Sequence, residues 1–123
     1  EPPGIQGLMN GAVLLQTRKL ISRIPIADAV MNYILDLVMA THQENPYIRE
    51  GASPRAAQAL VRASKARAFL EGRLNVSFED VRSLAYPVLR HRILLNFDAV
   101  SDGITQDSVI RQILSEKEKN LYA

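Results

Sequence analysis

Proline and glycine punctuation decides most of what this chain can become. Beyond the first eleven residues, Pro25, Pro46, Gly51, Pro54, Gly72, Pro87 and Gly103 cut the sequence into segments of helical length. Within those segments the apolar residues recur at three- and four-residue steps, the signature of amphipathic helices. Strict alternation of apolar and polar residues, which a half-buried strand would need, is missing. The pattern predicts an all-α domain, a small bundle of about five helices.

The segments follow in order. Residues 1–11, with two prolines and three glycines, read as a flexible leader or connector. Val13, Leu14, Thr17, Leu20, Ile21 and Ile24 then mark the apolar side of a first helix that Pro25 ends. Ile26, Val30, Ile34, Leu37, Val38 and Thr41, widened by Met31 and Leu35, form the stripe of a second helix, which stops before Pro46. Gly51-Ala52-Ser53-Pro54 starts a third helix, with Ser53 at the cap and Pro54 in the first turn, where its missing N–H costs nothing. Its apolar side is Ala56, Ala59, Leu60, Ala63, Ala66 and Leu70, joined by Phe69, and Gly72 supplies the left-handed stop.

Ser77-Phe78-Glu79-Asp80 opens a fourth helix as a capping box, with Val81, Leu84, Val88 and Leu89 on its buried side and Pro87 expected to kink or split it near Tyr86. Residues 93–97 are short and apolar, either a strand fragment or a packed loop. After an Asp102-Gly103 turn, Thr105 caps a last helix through Val109, Ile110, Ile113 and Leu114, and residues 116–123 read as a solvated tail.

Several chemistries are excluded by what these residues lack. There is no cysteine, which rules out disulfides and thiolate chemistry and fits a reducing compartment. The sequence contains no GxxxxGK[ST] or GxGxxG phosphate loop, no HExxH, no EF-hand loop and no GxSxG elbow. His42 and His91 lie on different segments, so no metal site is expected. Glu79-Asp80 is explained by helix capping. No catalytic residue is assigned, and no apolar run reaches the roughly 20 residues of a membrane span.

Positive charge is organised even though the net charge is only +2. Arg55, Gln58, Arg62 and Lys65 fall on one stripe of the third helix. Arg55 stands at the helix start, where free backbone N–H groups and the positive dipole end already favour an anion, and its planar fork of donors suits phosphate. A solvated surface arginine is the alternative. Arg90-His91-Arg92 forms a second cluster near a helix C-terminus, where the dipole favours cations without any ligand.

Gly51-Ala52-Ser53-Pro54-Arg55-Ala56, Val76-Ser77-Phe78-Glu79-Asp80-Val81 and Val88-Leu89-Arg90-His91-Arg92-Ile93 stand in the order and spacing of one known family. Over residues 12–115 the chain resembles the C-terminal helical lid of MoxR-type AAA+ ATPases. The resemblance implies that Arg55 is the second nucleotide sensor, reporting the ATP γ-phosphate, with Gly51, Ser53 and Pro54 setting the helix start that aims it. It implies that Arg90, His91 and Arg92 dock on the ATPase core or a neighbouring subunit.

It further implies a cytoplasmic ring oligomer whose core, upstream of the lid, binds ATP and magnesium. Such rings remodel partner proteins in a chaperone-like way, often ones with von Willebrand A domains. The lid itself would carry no cofactor and would not hydrolyse ATP. Two alternatives stay open. One is a lid from a magnesium-chelatase-like or helicase-like ring. The other is a small nucleic-acid-binding module using Arg55, Arg62, Lys65, Arg67 and Arg73, which the modest net charge disfavours.

Overall fold

The computed structural model describes residues 3–121, with side chains described from 11 to 119. The elements run α1 (Pro3–Ser22), α2 (Asp28–Ala40), β1 (Ile48–Glu50), α3 (Pro54–Leu70), α4 (Phe78–Leu89), β2 (Leu94–Leu95), α5 (Phe97–Ser101) and α6 (Gln106–Leu121). This is an all-α bundle with a two-stranded antiparallel clip, in which Ile48 faces Leu95 and Glu50 faces Leu94.

Helix α2 is the central pillar. It buries Val30, Tyr33, Ile34, Leu37, Val38 and Ala40, and it packs against α3, α4 and α6 at once. A helix with three neighbours needs apolar residues around most of its circumference, which is why its sequence is so uniformly hydrophobic. Tyr33 completes the contact with α4 by meeting Phe78 edge to face, ring centroids 5.4 Å apart. Leu35, expected to widen the buried stripe, instead faces solvent.

The α3–α4 pair is the most extensive interface. On α3 the residues pressed inward are Ala56, Leu60, Ser64 and Ala68, an i, i+4 ridge of mostly small side chains that permits close approach. This ridge lies slightly around the helix from the expected one, so Leu70 points into solvent. On α4 the inward residues are Asp80, Val81, Ala85 and Leu89. Pro87 does not split α4. It sits in the last turn, and the Arg90 N–H still reaches the Tyr86 carbonyl at 2.9 Å, so the helix ends two residues later. Val109, Ile110, Ile113 and Leu114 of α6 close the core as expected.

Two boundaries and one element differ from the sequence expectations. Helix α1 begins at Pro3 rather than after Gly11, and a proline suits that first-turn position. Residues 116–121, expected as tail, continue α6. Residues 1–2 and 122–123 lie outside the described residues. The sixth helix, α5, was not expected; Asn96 caps it by accepting from the Ala99 N–H at 3.0 Å. A larger difference concerns α1, which packs chiefly on α3, so Val13 and Leu14 are each 59% exposed.

One carboxylate ties the end of α3 to the start of α4. The Asp80 side chain is fully buried; it accepts from Arg67 at 2.6 Å and from both terminal nitrogens of Arg73, one at 2.6 Å. The Ser77 N–H donates to Asp80 at 2.8 Å while the Asp80 N–H donates to Ser77 Oγ at 3.2 Å, completing the capping box. Burial alone would raise the Asp80 pKa. The bonds from Arg73, Ser77 and Arg67 outweigh it and hold the carboxyl well below the usual carboxylate range.

A depressed carboxylate pKa contributes stability that is present above the unfolded value, near about 4, and is lost as pH falls below it. Asp80→Asn therefore costs about 3 kcal/mol at neutral pH, because it leaves two arginines without their buried partner. Urea unfolding followed from pH 6 downward checks both points. The wild type loses stability below about pH 4, and the variant loses distinctly less over the same range.

Candidate functional site: the start of helix α3

The C-terminal end of α2 clamps the segment that launches α3. Thr41 is buried, its hydroxyl donating to the Val38 carbonyl at 2.6 Å and accepting from the Ala52 N–H at 2.9 Å. The His42 ring bonds the Ala52 carbonyl through Nε2. Both backbone groups of Ala52 are thereby held. Gly51 passes so close over Thr41 that an added Cβ would press into its carbonyl, only 2.8 Å from the carbonyl carbon. Backbone cannot yield as a flexible side chain can, so Gly51→Ala should cost about 1–3 kcal/mol, read as a lower urea midpoint with an unchanged slope.

Past this clamp, Ser53 takes the extended conformation of an N-cap (φ −72°, ψ 164°) and Pro54 enters the first turn. The Ser53 side chain makes no capping hydrogen bond; its carbonyl accepts from the Ala56 N–H at 2.9 Å instead. Ser53 thus supplies backbone geometry and leaves the first N–H groups of α3 uncapped by any side chain.

Arg55 follows on the solvent side. It is exposed, and among the described residues it has no hydrogen-bond or ion-pair partner. The first turn of α3 carries no acidic residue. The helix dipole disfavours a cation there, so Arg55 does nothing for the local stability of α3. A cleft of about 360 Å³ next to the clamp is lined by Thr41, His42, Ile48, Arg49, Glu50, Gly51 and Ser53 among others, and Arg55 is not part of that lining. A guanidinium at the positive end of a helix on a rigid support can receive a phosphate-like anion.

The other candidate residues are brought together less completely. Gln58 and Arg62 continue the exposed stripe, and Lys65 donates to the Ser22 carbonyl at 3.1 Å, tying α3 to α1. Arg67 and Arg73 turn away to hold Asp80, which splits the five-cation set of the nucleic-acid alternative. Arg90 forms a two-bond fork with Asp107, Nε to Oδ1 at 2.7 Å and the second nitrogen to Oδ2 at 3.0 Å. That bond lowers the Asp107 pKa.

Arg92 donates to the Val88 carbonyl at 2.8 Å, satisfying the end of α4. Of this cluster only His91 is exposed with no hydrogen bond or ion pair among the described residues. Arg90 and Arg92 thus have structural work inside the chain. Arg90→Ala should speed amide hydrogen exchange in the first turns of α6 and leave α2 protected. Among the described residues no group of three His, Cys, Asp or Glu side chains could hold a metal ion, and no helix is long and apolar enough to cross a membrane.

The sequence profile of the AAA lid domain matches residues 40–113, from the end of α2 into α6. The chain belongs to the AAA lid family. Within it, the lid is of the MoxR type. It is 29% identical over 92% of its length to the chaperone MoxR1 of Mycobacterium tuberculosis, covering 32% of that protein. Over 40% of its length it is 55% identical to the protein MoxR of Paracoccus denitrificans, covering 14% of that protein.

A crystal structure from Cytophaga hutchinsonii, described provisionally as an ATPase, superposes with a TM-score of 0.78 and 39% identity, over 82% of the lid and 33% of that chain. The lid spans about a third of the length of the mycobacterial protein.

Sequence reasoning placed Gly51, Ser53, Pro54 and Arg55 together at one helix start, as observed. It missed the clamp itself. Thr41 read as one more position on an apolar stripe, and nothing local marks its hydroxyl as the partner of Ala52.

Proposed function

We propose that this lid senses nucleotide through Arg55 in a parent ATPase that binds ATP with magnesium in its core. The observation that carries this reading is an unpartnered arginine on a helix start clamped by Thr41, His42 and Gly51. A guanidinium held in that way gains a partner only when an external anion arrives. The γ-phosphate of ATP would then bias the position of the whole lid, because α3 packs on α1, α2 and α4 and cannot move alone.

Such a shift would couple nucleotide state to contacts with the core and with neighbouring subunits of a cytoplasmic ring. The ring in turn would remodel client proteins, von Willebrand A-domain proteins being one class. Magnesium would be held by the core, and the lid alone would not turn over ATP.

Arg55→Ala separates this role from folding. In the lid, an exposed unpaired arginine should change stability by no more than about 0.5 kcal/mol. In the parent ATPase, with assembly verified by sedimentation, the same substitution should lower ATP turnover by about 10²-fold, the usual cost of removing one preorganised donor to developing charge. Unchanged turnover with the ring intact would return Arg55 to the status of a surface residue.

A further inference from the structure

Ser53 leaves the first turn of α3 without a side-chain cap, and that turn carries Arg55. Uncapped first turns fray, because their N–H groups have no partner inside the helix. A guanidinium on a fraying turn samples many positions and holds an anion poorly, since ordering it must be repeated at each binding event. The turn therefore depends on whatever holds the chain just before it.

Torsional freedom ahead of Arg55 is already scarce. The ring of Pro54 fixes its own φ, and a residue before proline is confined to the extended region, where Ser53 lies (φ −72°, ψ 164°). Ala52 is the last residue whose peptide planes could turn. Its N–H is held by the Thr41 hydroxyl at 2.9 Å and its carbonyl by the His42 ring. A carbonyl only accepts, so His42 Nε2 carries the proton in this bond.

The two holds differ in kind. Thr41 is buried and also bonds the Val38 carbonyl, so it serves the end of α2 as well. His42 is exposed and borders the cleft next to the clamp, and its side chain makes this bond and no other among the described residues. An exposed ring with a single bond, placed on the carbonyl that leads into an uncapped turn, contributes alignment of that turn.

We infer that His42 is a positioning residue for nucleotide sensing: by fixing the Ala52–Ser53 peptide through Nε2–H, it holds the first turn of α3 and aims Arg55. His42 acts through Arg55, so its role rests on the sensing function proposed for that arginine. In this role the imidazole needs no contact with the phosphate. A merely structural histidine would behave differently, because its loss would cost the same with or without Arg55.

ATP turnover of the parent ATPase tests this, with folding checked by circular dichroism melts and ring assembly by sedimentation. His42→Ala should lower turnover about 10-fold, a fraction of the roughly 10²-fold that a misplacement of about 1 Å can cost. His42→Gln, whose amide N–H can reach about where Nε2 stands, should recover most of that loss. On an Arg55→Ala background, His42→Ala should cost nothing further, because the group it positions is gone. His42→Phe keeps a ring without the donor and takes the place of His42→Ala if the alanine variant fails to fold or assemble. Wild-type turnover in His42→Ala, an equal loss on the Arg55→Ala background, or no recovery in His42→Gln would overturn the role. The outcomes also separate the two residues: Arg55→Ala at wild-type turnover removes both roles, whereas a slow Arg55→Ala protein beside a fast His42→Ala one removes only that of His42.

Discussion

The lid is organised around a buried ion cluster. Asp80 sits at the first turn of α4 with its carboxylate fully buried, and it accepts from Arg67 on α3, from Arg73 in the connecting loop and from the backbone of Ser77. Any charge without such partners would be expelled from this position or neutralised. With them, the carboxylate fixes where α3 ends, how the loop turns at Gly72 (φ +71°) and where α4 begins. The extensive α3–α4 interface depends on that register, since a ridge of Ala56, Leu60, Ser64 and Ala68 has little bulk with which to correct a misplaced partner.

The opposite end of α3 is fixed by different chemistry toward a different end. There the Thr41 hydroxyl and the His42 ring hold Ala52, and the passage of Gly51 over the Thr41 carbonyl admits no side chain. A helix pinned at both ends behaves as a rigid lever. Arg55 is mounted at one tip without a partner among the described residues, an arrangement that costs the fold a small dipole penalty and underlies the sensing role proposed for it. Arg67, twelve residues along the same helix, spends its charge inside the chain. Two arginines of identical chemistry thus take opposite roles, according to whether the fold supplies a carboxylate within reach.

Much of this was legible in the sequence. Ser77 and Asp80 declared the start of α4 because a capping box is encoded within four residues, and Gly51-Ala52-Ser53-Pro54-Arg55 declared the start of α3 for the same reason. What escaped is non-local. Arg67 and Arg73 read as surface cations because their partner lies on another helix. Arg90 forks onto Asp107, seventeen positions later, through Nε and one terminal nitrogen, a partner that nothing local announces. Strand β1 carries no alternating pattern to announce it and exists because Leu94 and Leu95 lie alongside. Periodicity on α1 placed a helix there, yet Val13, Leu14 and Leu20 of its expected buried side are exposed, because α3 covers only part of it.

The most direct test of the account is a structure of the parent ATPase with a non-hydrolysable ATP analogue and magnesium. With the clamp at Thr41, His42 and Gly51 unchanged, the Arg55 guanidinium should lie within about 3 Å of a γ-phosphate oxygen, whether that nucleotide belongs to its own subunit or to the next. An Arg55 that stays in solvent while nucleotide fills every site would contradict the role assigned to the start of α3.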